Sequence, residues 1–113
     1  MALEIDERRH GAVTVVRPAG SISGDDAAAL LERICDAAGR SLGRIVIDAG
    51  AVPFVDSAGL EALLDAADRM AESGQSLKLC SVNETLREVL ALTGLARRFE
   101  QYEDVQSAVR SFL

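Results

Sequence analysis

Hydrophobic and polar positions change period several times along the chain. Residues 3–9 and 12–18 are short β-type runs flanking His10-Gly11, the second rich in β-branching at Val13, Val15 and Val16. Such runs predict a hairpin, stopped by Pro18-Ala-Gly20. The period then shifts to 3.6, with Ala27, Leu30, Leu31, Ile34 and Ala38 on one face of a helix. Ser23 and Asp26 have capping-box spacing at its start, and Gly39 suits the position after its last turn. Residues 44–49 read as a short strand buried on both faces. A loop from Gly50 to Asp56 leads to a second helix. Its apolar positions are Leu60, Leu63, Leu64, Ala67, Met70 and Ala71, its outer face carries Glu61, Asp65, Asp68, Arg69 and Glu72, and Gly74 closes it. Leu77–Val82 is a further predicted strand. Ser81 and Glu84 repeat the capping-box spacing before a third helix with Leu86, Val89 and Leu90, stopped by Gly94. Phe99 to Tyr102 predicts a short last strand, and Val105, Ala108, Val109 and Phe112 form a C-terminal helical stripe.

Strand and helix alternate from residue 44 onward, which gives right-handed crossovers and a largely parallel core. The opening hairpin adds antiparallel pairing. The expected architecture is therefore α/β, a mixed sheet of four to five strands with about four helices packed mainly on one face. The other face is expected to be partly open. Neither an internal repeat nor a break in composition divides the chain, so residues 1–113 read as a single domain.

Composition narrows the function. The chain has 18 acidic residues against 12 Lys and Arg, a net charge of −6. A phosphate-backbone binder needs a basic patch, and Arg8-Arg9 with Arg97-Arg98 is thin, so no nucleic acid is expected. No apolar run approaches the roughly 20 residues of a membrane span. No basic start is followed by an apolar stretch of signal-peptide type, so a cytoplasmic protein without membrane insertion is expected. Cys35 and Cys80 lack CxxC spacing and read as buried, reduced thiols.

Little points to chemistry. His10 is the one histidine and falls in a predicted turn. Ser57 lies in Asp-Ser-Ala-Gly-Leu, which is not the G-x-S-x-G of a nucleophile elbow. No His/Cys pair has metal-ligand spacing, and no Walker or G-x-G-x-x-G loop occurs. Asp25-Asp26 suits a solvated helix start. Asp56 as a phospho-acceptor of receiver type lacks the acidic pair at the end of a first strand, and Lys78, the one lysine, comes too early. The expectation is a protein that is not an enzyme, with no catalytic residue, no metal and no cofactor.

What remains is Val55-Asp56-Ser57-Ala58-Gly59-Leu60 at the start of the second helix. Asp and Ser are good N-cap residues and explain part of it. Gly59 costs about 1 kcal/mol relative to Ala inside a helix, which suggests that something approaches the backbone there.

A strand ending Ile-Val-Ile-Asp, a short loop with Phe54-Val55, and then Asp-Ser-Ala-Gly-Leu opening an amphipathic helix resembles the STAS domain, and within it the bacterial anti-sigma factor antagonists. Gly20 stands where that family has its turn after the hairpin. Leu77-Lys-Leu-Cys-Ser-Val82 is similar to the strand before the third helix, and Leu92-Thr-Gly-Leu95 with Phe99 and Tyr102 to the C-terminal signature. The resemblance covers residues 3–113. It implies a switchable binding module whose serine after the motif aspartate, Ser57 here, is phosphorylated. The implied partners are an anti-sigma factor that is itself a serine kinase of GHKL type, and a PP2C-type phosphatase. The unmodified form binds the anti-sigma factor and frees the sigma factor, and the phosphorylated form lets go. The partner-facing set is expected to be Ser21, Ser23, Asp56, Ser57, Gly59 and Glu61. The chain departs from the family at Ser23, where an aspartate is common, and the spacing to Asp26 gives Ser23 a capping role instead. An alternative within the family is a stand-alone STAS subunit of a lipid ABC transporter, bound to the transport ATPase and not phosphorylated.

Overall fold

The computed structural model describes residues 3–113. Strands β1 (Glu4–His10) and β2 (Val13–Ala19) pair antiparallel around Gly11, whose φ of +65° makes the tight reversal. From there the chain alternates: α1 (Gly24–Arg40), β3 (Ile45–Asp48), α2 (Ser57–Ala71), β4 (Lys78–Cys80), α3 (Glu84–Leu92), a single 3-10 turn (Ala96–Arg98), β5 (Glu100–Tyr102) and α4 (Val105–Arg110). The five strands lie in sequence order, and β2 to β5 are all parallel. This is the mixed α/β sheet with four helices that the pattern predicts.

Alternation along the strands divides the core in two. Val16, Ile45, Ile47, Leu77 and Leu79 join Leu30 and Ile34 of α1, Leu63 and Met70 of α2, and Leu86 and Leu90 of α3 in the main cluster. Val13, Val15, Val46 and Cys80 form a second cluster with Ala108 of α4, flanked by Tyr102, Val105, Val109 and Phe112. Three helices thus share one face, and the short α4 covers part of the other. Thr14, almost wholly buried, shares a 2.6 Å hydrogen bond with Ser41, which satisfies both hydroxyls.

Ion pairs at Glu7 and at Lys78 fasten the periphery. Glu7 on β1 accepts from Arg33 and Arg40 of α1, each at 2.7 Å. Its carboxyl is held below the usual range by the Arg40 hydrogen bond first and the Arg33 one next. Lys78 is buried under the end of α4. Its Nζ donates to Ser111 Oγ at 2.7 Å, lies 3.5 Å from Glu100 Oε1, and sits 4.1 Å from the Phe112 ring centroid.

Some ends differ from the expected ones. Helix α1 runs through Gly39 to Arg40, and the reversal falls on Leu42 (φ +54°) and Gly43 (φ +81°). Gly43 is the glycine that the left-handed backbone requires there. Helix α3 is capped by Asn83, which accepts the Leu86 N–H at 2.8 Å, and not by Ser81. Ser81 has a φ of +58° just after β4 and belongs to the strand-to-loop turn. Ser23 occupies the N-cap position of α1, but its hydroxyl makes no capping bond. The buried part of the predicted 77–82 strand pairs only over Lys78–Cys80.

Candidate docking site at Ser57

The site lies beyond the C-terminal ends of β2 and β3, where two loops run side by side. Gly20 N–H donates to Ala51 O at 3.0 Å, Ile22 N–H to Phe54 O at 2.9 Å, and Asp56 N–H to Ile22 O at 3.0 Å. The two bonds at Ile22 form a one-residue parallel bridge between Ile22 and Val55, an extension of the sheet by two loops. Ile22 is buried and anchors its loop in the main core.

Asp56 ties two helices together. Its Oδ1 accepts the Gly59 N–H of α2 at 2.8 Å, and its Oδ2 accepts the Gly24 N–H of α1 at 3.0 Å. One carboxylate therefore caps its own helix and the helix that Ser23 leaves uncapped. A negative charge shared between two helix N-termini is also favoured by both macrodipoles. Asp26, the expected partner of Ser23, instead accepts the Leu3 N–H at 3.3 Å.

The close approach that Gly59 suggests is real, and it is internal. A Cβ at Gly59 would stand 2.6 Å from Ile22 O and 2.8 Å from Ile22 Cγ2. Gly59 is buried, so it shapes the surface from beneath and offers a partner no atoms of its own. The other expected residues are brought to one end. Ser21, Ser57 and Glu61 are exposed, and Ser23 and Asp56 are half-buried. Ser57 is the first residue of α2, and Glu61 follows one turn later on the same face.

The pattern missed Phe54. It leaves 55% of its surface exposed, three residues before Ser57. It lies in an aperiodic loop whose Val52 and Val55 take the core side, so the signal was the aromatic itself. Asn83 is a second addition: its Nδ2 donates to Val52 O at 3.0 Å, fixing the same loop from α3.

Elsewhere, His10 ends β1 and is exposed. Cys80 is buried, with its thiol pushed up to about 11 by burial first and by the Asp48 charge next. Cys35 is half-buried, more open than expected, with Arg69 Nη1 at 3.7 Å from its sulfur. Among the described residues no group of three His, Cys, Asp or Glu side chains is placed to hold a metal, and no helix is long and apolar enough to cross a membrane.

The STAS domain family model matches residues 4–108. The chain belongs to the STAS domain family. Solved structures agree with this domain in shape. An anti-sigma factor antagonist from Mycobacterium paratuberculosis is 25% identical, with a TM-score of 0.82 over 97% of this chain and 93% of that one. SpoIIAA, a Bacillus anti-sigma factor antagonist, matches in both of its forms. The unphosphorylated form is 14% identical with a TM-score of 0.71, over 98% of this chain and 96% of that one. The phosphorylated form is 17% identical with a TM-score of 0.70, over 99% and 100%. The murine solute carrier 26 family member A9 anion transporter is 14% identical with a TM-score of 0.75, over 93% of this STAS domain but only 18% of the transporter. Comparison with curated protein sequences finds no match.

Proposed function

We propose that this STAS domain is an anti-sigma factor antagonist that works by partner switching, with Ser57 as the phosphorylation site. The observation that carries the reading is the setting of Ser57. It is exposed, it opens α2, and it stands on a loop held rigidly by Asp56 and the Ile22–Val55 bridge. A helix N-terminus tolerates the roughly −1.5 to −2 charge of a phosphate, so modification leaves the fold intact. The likeness to SpoIIAA supports this, since that fold is found phosphorylated and unphosphorylated with nearly equal TM-scores to this chain. The domain acts as a binding module without chemistry of its own. The partner is a serine kinase of GHKL type that doubles as the anti-sigma factor. Unmodified, the domain occupies that partner and the sigma factor is free. Phosphorylated, it dissociates until a PP2C-type phosphatase restores the serine.

The test is intact mass and peptide mapping after incubation with ATP and the GHKL-type serine kinases of the same genome, with Ser57→Ala as control. One phosphate on Ser57, absent from the control, is the expected result. No phosphate from kinases active on another antagonist rejects the switch. The match to part of an anion transporter keeps a second reading in view, a STAS module bound to a transport protein and not phosphorylated. That reading predicts an unmodified Ser57 and a permease or transport ATPase encoded nearby.

A further inference from the structure

The loop that positions Ser57 also presents an aromatic side chain that the core does not use. Phe54 is 55% exposed, yet its backbone is fixed. Its carbonyl accepts the Ile22 N–H at 2.9 Å, and the next residue forms the Ile22 bridge. A large apolar group on a backbone fixed before any partner arrives has only its side-chain rotamer freedom left to lose on binding. The two loops that build this end, with the helix turns that follow them, are acidic. Residues 18–32 and 49–68 contain no Lys or Arg and carry exposed Asp25 and Glu61 and half-buried Asp56, while exposed Arg87 stands on α3, one turn beyond the Asn83 that holds the Phe54 loop.

We infer that Phe54 is the apolar anchor of the docking surface, and that the partner receives it in an apolar pocket rimmed by basic side chains. The inference rests on the anti-sigma antagonist reading, and the occupant is the serine kinase itself. The arrangement also accounts for a difficulty in that reading: an acidic surface facing a basic partner is switched off by more negative charge. Rim carboxylates stay hydrated and act at long range, speeding encounter. Ser57 follows the anchor by three residues, at the first turn of α2, and in this proposal it falls in the part of the contact that closes to water. A dianion there loses its hydration against an apolar pocket, which the rim attraction does not repay. Attraction at the rim and rejection at the centre operate together.

The experiment is a binding titration and stopped-flow association with the GHKL-type serine kinases of the same genome, using wild type, Phe54→Ala, Phe54→Leu and the pair Asp25→Asn with Glu61→Gln. Leu92→Ala, a change at an 87% exposed apolar residue ending α3, serves as control. Phe54→Ala is expected to weaken binding at least about thirtyfold, mainly in koff, as an anchor residue does. Phe54→Leu is expected to recover part of that loss, and Leu92→Ala to bind as wild type. The charge pair is expected to slow association and reduce its salt dependence. Tight binding of wild type with Phe54→Ala equal to it overturns the anchor alone. Faster association of the charge pair overturns the basic rim. No binding of wild type overturns the antagonist reading and the anchor with it.

Discussion

At the residue scale the site depends on how much one carboxylate does. The pattern Asp-Ser-x-Gly offers both Asp56 and Ser57 as N-caps, and Asp56 is the one, through Oδ1 to Gly59. Its second bond, from Oδ2 to Gly24, spans 32 residues of chain and leaves no trace in local spacing. For the same reason the Ser23–Asp26 spacing pointed to a cap that does not form. Capping-box logic looks only at neighbours, and here a stronger, charged acceptor arrives from another loop. Asp56→Asn separates the two functions. An asparagine oxygen still accepts from Gly59, but its amide N–H₂ then faces the Gly24 N–H, where two donors meet. The expected outcome is a stable α2 with faster amide hydrogen exchange at Gly24, in the range of 1–3 kcal/mol of lost protection. Unchanged exchange at Gly24 contradicts the bridging role.

At the element scale, every predicted helix and strand is present, and the differences lie at their ends, while the face that α4 meets was not specified. Periodicity identified the α4 stripe of Val105, Ala108, Val109 and Phe112, but a stripe does not say which face of a sheet it meets. That is decided by chain direction after β5 and by the apolar row of Val13, Val15, Val46 and Cys80 that awaits cover. Gly39 looked like a helix stop because glycine is common there, yet the left-handed residues come later, at Leu42 and Gly43. Helix α4 is short, and among its own residues only Ala108 is fully buried. Lys78 therefore contributes much of its attachment, through Ser111, Glu100 and the Phe112 ring. Cys80 beneath it reports opening. In a Cys35→Ser background, Lys78→Ala is expected to speed native-state labelling of Cys80 by a thiol reagent. Loss of a hydrogen bond to a charged group, about 1.5–3 kcal/mol, corresponds to roughly tenfold to a hundredfold. A labelling rate equal to that of the parent contradicts a pinning role for Lys78.

At the scale of the whole molecule, the fold gathers the candidate docking residues at one end of the sheet. Parallel strands deliver the loops after β2 and β3 to the same edge, as ligand sites in α/β sheets commonly are. The family resemblance named Ser21, Ser23, Asp56, Ser57, Gly59 and Glu61, and the alternation of strand and helix brings the loops that carry them to one end. It could not rank them: Gly59 turns inward against Ile22, and Phe54, with no periodic partner, turns outward. The acidic balance of the chain has a location too, since residues 18–32 and 49–68 at this end carry no Lys or Arg. In the proposed function this end is a surface that a kinase binds and then disables. The most direct measurement is the affinity of the GHKL-type serine kinase for the unmodified domain and for the same domain fully phosphorylated on Ser57. The account predicts tight binding of the first and at least about hundredfold weaker binding of the second, the scale at which a buried, unpaired charge breaks an interface. Equal affinities, with both forms equally folded, would contradict it.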